Sequence, residues 1–154
     1  MTKVVFETAA FADAIKNANT VAPSKGKSFD EAGGIVVDIV SNGDGTGVAV
    51  IRSTNNLVWY REWVTPVSVE GPSTSWRLFS SVFAPMVASL PIGSGKAVTL
   101  EEQASGYSKL LLVTSGRVKA KMNLMDQTYY PEWEVFDPDL LTPVSDLGGR
   151  IKLV

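Results

Sequence analysis

The sequence predicts an α+β fold in which two β-α-β-β-β units set two helices on one face of antiparallel sheets. The repeat shows in the order of elements: twice, a strand leads into a short helical pattern and then into three further strand candidates. A turn of the Asn-Gly and Asp-Gly type, Asn42-Gly43-Asp44-Gly45, joins two of those strands as an antiparallel hairpin. The two halves share this order without sharing letters.

Residues 3–7 (Lys-Val-Val-Phe-Glu) read as the first strand. Thr8 is a candidate helix N-cap, and Phe11, Ile15, Ala18 and Ala22 follow at near-helical spacing on one face. Asp13, Lys16, Asn17 and Thr20 take the other face, and Pro23 ends the helix. Residues 23–34 form a loop rich in Ser, Gly, Lys and acid. Strands are expected over 35–40, 46–52 and 56–64, with Thr54-Asn55-Asn56 turning between the last two. The second unit opens with a strand over 74–79 and a helix from about Ser81 to Leu90. That helix puts Phe83, Val87 and Leu90 on one side, with Val82 and Met86 at its edge. Pro85 is expected near its first turn, where a missing amide hydrogen matters least. Strands over 97–102, 109–114 and 117–123 complete the unit.

A chain of 154 residues suits one domain with a short extension, large enough to bury a core without staples. Hydrophobic residues make up 45% and charged residues 19%, an ordinary balance for a globular protein. No long uncharged apolar run suggests a membrane span, and Glu7 interrupts the short apolar start, which does not read as a signal peptide. Without cysteine there is no disulfide framework, thiolate nucleophile or thiolate metal site, and an intracellular setting fits. Without histidine there is no Ser-His-Asp, Cys-His or zinc-histidine site. Enzymology would rest on carboxylates, Lys, Tyr and Ser. A net charge of −2 does not suit a protein that grips nucleic acid by bulk electrostatics.

The most distinctive stretch runs Ser115-Gly116-Arg117-Val118-Lys119-Ala120-Lys121-Met122-Asn123-Leu124, followed by Tyr129-Tyr130-Pro131-Glu132-Trp133. It reads as a tight turn, a strand of alternating character and an extended segment with an aromatic-proline stop. It resembles the end of the first domain of the bacterial-type DNA polymerase III beta sliding clamp. The resemblance extends over roughly residues 3–136: Lys3 to Ile15, Ile35 to Val40, Val48 to Ile51, Leu78 to Pro91 and Glu101 to Met122 stand where the family has its strands, second helix and closing hairpin. Ser53-Thr54-Asn55-Asn56-Leu57 keeps the family's Thr but not its acidic residues. The divergence suits a phage-encoded relative.

The resemblance implies a domain plan and a function. By it, residues 1–136 form the first clamp domain, and 137–154 form a linker and the start of a truncated second one. The protein is then a sliding-clamp (processivity factor) subunit or its N-terminal domain. It encircles duplex DNA without reading sequence, tethers a replicative polymerase and catalyses nothing. Its implied partners are DNA, other clamp subunits or domains in a ring, the polymerase and a clamp loader. It needs no cofactor, no metal and no membrane, and it works in the cytoplasm, or the host cytoplasm if phage-encoded. The family's helices line the central hole, so Lys16, Lys25, Lys27 and Arg77 become candidate DNA contacts, reaching phosphates and not bases. The same three lysines also fit a solubilised helix face and loop. Residues 80–90 contain no Lys or Arg, unlike the family's second helix. The strand 117–123 corresponds to the edge that joins another subunit. There Arg117 and Lys119 would make ion pairs, Ala120 and Met122 would pack, and Phe83 would join from the helix. Edge cations also commonly block unwanted sheet pairing.

Other constellations carry less. Glu101 and Glu102 would point to opposite faces of a strand and share no proton, so a solvated hairpin end is expected. Asp137-Pro138-Asp139 reads as a linker. The glycines at 43, 45 and 47 lack the strand-to-helix setting of a phosphate loop. Trp59 and Trp63 alternate with Leu57 on one sheet face, and core packing is the expectation for them as for Trp76 and Trp133, against stacking on bases or sugars. The alternative function is a β-rich structural or binding module, for instance a virion part, that uses Trp and Tyr as a contact surface and has neither a helix pair on one face nor a basic lining.

Overall fold

The computed structural model describes residues 1–23, 33–128 and 130–131. The first unit comprises β1 (Lys3–Glu7), α1 (Thr8–Val21), β2 (Ile35–Ser41), β3 (Gly47–Thr54) and β4 (Trp59–Val64). A three-residue strand β5 (Ser68–Glu70) leads to the second unit: β6 (Thr74–Leu78), α2 (Ser80–Ala88), β7 (Ala97–Ser105), β8 (Ser108–Ser115) and β9 (Val118–Asn123). The expected order is present twice, with β5 as the unforeseen addition.

The strands form two antiparallel sheets, in the orders β5-β1-β7-β8-β9 and β4-β3-β2-β6. The opening strand of each unit is lodged in the sheet of the other. Val4 of β1 pairs with Leu100 of β7, and Val37 of β2 pairs with Trp76 of β6. The two units are therefore related by an approximate two-fold exchange, which expresses in space the repeat visible in the element order.

Local chemistry explains the elements. Val4 and Phe6 point inward from β1, and Ile35, Val37 and Ile39 do so from β2, by strand alternation. Gly43 and Gly45 adopt φ of 82° and 91° in the β2–β3 turn, a region only glycine enters without steric cost. β4 begins at Trp59, later than expected, because Asn55 Oδ1 accepts the amides of Leu57 (2.9 Å) and Val58 (2.7 Å) and holds them in a turn. Pro23 ends α1 by forcing Ala22 into an extended conformation.

Two helix details differ from expectation. Thr8 does not cap α1 with its side chain: Glu7 occupies the N-cap position, and Thr8 is buried with its amide donating to Lys96 O at 3.1 Å. Pro85 lies inside α2 and not in its first turn. Pro85 and Ser81, whose carbonyl the missing amide would have met, are both exposed, so water can satisfy that carbonyl.

The helices pack together over one core. Phe6 stacks on Phe11 at 4.5 Å between ring centroids, and Phe11 meets Phe83 edge-on at 6.1 Å. Ser53 Oγ donates to Ala18 O (2.7 Å) and ties α1 to β3. Phe83 is fully buried among these groups, which corrects its assignment to a subunit interface, because no face of the ring is left for a partner. Phe83→Ala is expected to lower unfolding free energy by about 3–5 kcal/mol in urea titration; an interface residue would leave the stability of the monomer nearly unchanged.

Candidate functional site

Three surfaces carry the candidate residues. The first is the outer side of α1, where Asp13, Lys16, Asn17, Asn19 and Thr20 are exposed. Lys16 stands at solvent, as a phosphate contact requires. The exposed positions of α2 are Ser81, Val82, Pro85 and Ala88, with Ser89 just after it, none of them charged. Lys25 and Lys27 lie outside the described residues, as do the expected boundary after 136 and the segment 137–154.

The second surface is the outer face of the four-stranded sheet. Arg77 is only 3% exposed there. Its Nε donates to Gly33 O (2.8 Å) and its Nη1 to Asp126 O (2.5 Å). Its guanidinium lies 4.9 Å from the centroid of the Tyr130 ring, which Arg52 also approaches at 5.3 Å. Arg77 is therefore not an accessible DNA contact. It sits in a strand on the sheet side of the core, and it fastens the segment after β9 across that sheet. Arg52 and Arg77 flank Val36 in the ladder, so Tyr130 lies above this row. Arg52 is paired with Asp38 at 2.6 Å, and Asp38 also accepts from Ser75 Oγ at 2.7 Å. Burial pushes the Tyr130 hydroxyl above its ordinary pKa and the Arg77 guanidinium below its own.

The third surface is the pair of sheet edges. β9 is an edge strand, as expected. Arg117 in the preceding turn and Lys119 are exposed, with Lys121 beyond them. Met122 belongs to the core, which corrects its assignment as an interface side chain, and Ala120 is half-buried against that core. Alternation turns them inward whenever Lys119 and Lys121 point outward. At the opposite edge, Trp59 and Trp63 share the outer face of β4 at 38% and 62% exposure. The expectation of core packing fails for this pair and holds for Trp76, which is buried. The strand 56–64 has helix α1 on only one side, so alternation exposes the other row. Nothing in its letters says which row that is.

A fourth group was missed by sequence reasoning. Glu102 is not a solvated hairpin end but a core-facing carboxylate, 4% exposed. It accepts from Trp76 Nε1 at 3.0 Å and lies 3.5 Å from Lys109 Nζ. Burial alone would raise its pKa. Hydrogen bonds from Thr74 and Trp76 and the Lys109 charge outweigh that and hold it below the ordinary carboxylate value. Trp76 belongs to one sheet and Glu102 to the other, so the bond crosses the core. The signal available was its parity with Val98 and Leu100, both buried.

Among the described residues, no three His, Cys, Asp or Glu side chains converge as a metal site, and no helix is long and apolar enough to cross a membrane. An open cleft of about 370 Å³ at the β2–β3 turn is lined by Ser41, Gly43, Gly45, Val69, Glu70 and Gly71. That turn joins two strands and has no helix N-terminus to bind phosphate.

No protein-family model matches the sequence, and no curated protein matches it. Solved structures do match the fold. The beta clamp of Helicobacter pylori bound to a DNA ligase peptide superposes with a TM-score of 0.69 at 13% identity, covering 88% of this chain and 34% of that one. The DnaN sliding clamp (DNA polymerase III subunit beta) of Pseudomonas aeruginosa gives 0.71 at 13% identity, covering 90% and 34%. The DNA polymerase III beta subunit of Thermotoga maritima gives 0.67 at 21% identity, covering 89% and 34%. The chain thus has the fold of a single sliding-clamp domain and spans about a third of the length of these clamps.

A carboxylate whose folded pKa is depressed contributes stability above its unfolded pKa, and that contribution is lost as pH falls through the folded value. Glu102→Gln is expected to cost about 1–3 kcal/mol at neutral pH. The gap to the parent should close below about pH 4, as followed by urea unfolding across a pH series.

Proposed function

We propose that this chain serves as a clamp-like domain of a ring that surrounds duplex DNA without reading its sequence and tethers a polymerase, and that it performs no chemistry itself. The observation that carries the reading is the pair of helices, α1 and α2, packed side by side over two outer sheets, in the arrangement of a single sliding-clamp domain. The described helix layer exposes Asp13 and Lys16 and little other charge. Such a surface holds DNA weakly, and weak contact suits a ring that retains DNA by enclosure and must slide along it. In this reading Lys16, Lys25 and Lys27 touch phosphate, and Arg117 and Lys119 lie at a joining edge. Residues 137–154 lead toward a further domain, and the polymerase and a loader are partners of the complete ring in the cytoplasm. A phage source remains part of the same reading.

The exposed Trp59 and Trp63 favour a second reading, a binding module that uses an aromatic surface and has no DNA role. Duplex titration followed by backbone amide NMR separates the two. Encirclement predicts shifts confined to the solvent side of α1 and α2, equal for unrelated duplexes and abolished by salt. Lys16→Glu should reduce the salt slope by about 0.9 for one lost phosphate contact. An assembled ring should stay on closed circular DNA and leave once that DNA is cut. Shifts on the Trp-bearing sheet face, or none, would contradict the proposal.

A further inference from the structure

Arg77 holds two parts of the chain that are far apart in sequence. Its Nε donates to Gly33 O, just before β2, and its Nη1 to Asp126 O, just after β9. Its own carbonyl accepts the Met125 amide at 2.8 Å. Gly34 makes room for the crossing: a Cβ there would stand 2.5 Å from Leu78 O and 2.9 Å from Met125 Sδ. Ser75 Oγ reaches Gln127 Oε1 at 3.1 Å, and the Tyr130 ring closes over Arg77 and Arg52. Val36 shares the outer row with these two arginines and lies outside the core cluster, yet it is fully buried. The segment after β9 is what covers it.

The cover is held at few points, and one of them is strained in its polar balance. Among the described residues, one main-chain hydrogen bond, from Met125 to Arg77, joins the segment to the sheet. Arg77 forms no ion pair among those residues; the partners of its guanidinium are neutral main-chain oxygens, and its Nη2 is buried with none. An unmet buried donor on a cation is costly, and opening the segment returns it to water. Arg52 differs, because Asp38 in the neighbouring strand is its counter-charge whether the segment lies down or not.

We infer that the exit segment is a clasp that opens as a unit while both sheets stay folded, and that Arg77 is the positioning residue that locks it to the start of β2. Closed, the clasp fixes the direction in which the chain leaves the domain. Open, it uncovers Val36 and the outer edge of β6. The inference goes beyond the proposed function and holds whether or not DNA is enclosed.

Native-state hydrogen exchange of the full chain, followed by NMR with urea added below the unfolding transition, tests it. The Met125 amide should exchange by local opening, nearly independent of urea and at least about tenfold faster than the protected amides of β1 and β7. Arg77→Met should speed the Met125 amide by at least a further factor of about ten and leave β1 and β7 unchanged. Arg77→Lys should not restore protection, because one ammonium cannot span both carbonyls as the guanidinium fork does. Tyr130→Ala leaves Arg77 in place, so it reads the coupling even if the Arg77 variants fail to fold. It should speed both the Met125 amide and the Arg77 Nε proton that is bound to Gly33. A parent chain in which Met125 exchanges only together with β1 and β7 would overturn the inference. So would an Arg77→Met variant that speeds every amide alike or spares Met125, or a Tyr130→Ala variant whose Arg77 Nε proton is unchanged.

Discussion

Everything in this fold depends on the exchange of opening strands between its two units. β1 completes the sheet of the second unit beside β7, and β6 completes that of the first beside β2. Neither meander can bury its inner face without a strand from far along the chain. Pairings such as Lys3 with Glu101 must close long loops before they contribute. The exchange also places α1 directly after β1 and α2 directly after β6. Phe6, Phe11 and Phe83 can then form one aromatic cluster joining β1 to both helices.

Polar groups specify the arrangement further. The Trp76–Glu102 bond spans the core from one sheet to the other. Leaving either partner alone in an apolar interior is costly, so sheet pairings that separate them are disfavoured. On the outside, Tyr130 held by Arg52 and Arg77 lays the exit segment over the four-stranded sheet and covers the β6 edge. Arg52 and Arg77 are engaged by Asp38, main-chain carbonyls and the Tyr130 ring, while Arg61, opposite Arg52 in the ladder, is exposed on the same face.

Most of the fold was legible because strand and helix periods are local. β1 was read to the residue, and the turns at 42–45 and 115–117 carry glycines with positive φ where the sequence placed them. β5 was not legible, since three residues between Pro66 and Pro72 show no alternation of their own and pair only because β1 is adjacent. The site was less legible, because exposure is a property of packing. Lys16 and Lys119 stand at solvent, yet Phe83 and Met122 turned inward, Trp59 and Trp63 turned outward, and Arg77, on the outer sheet face, is covered by the segment that carries Tyr130. In each case the letters give the alternation but not which row faces the core. The correct row comes only from which side of a strand the helices cover.

The same exchange explains why β4 and β9 stand at the margins of their sheets among the described residues. Each unit gives its first strand away, so its last strand, β4 or β9, is a sheet margin that no strand flanks on its outer side among the described residues. Separate expression of residues 1–66 and 67–131 tests this dependence most directly. Each half alone should show no cooperative thermal transition, and mixing them should restore a single one with native circular dichroism. A half that folds cooperatively by itself would contradict the account.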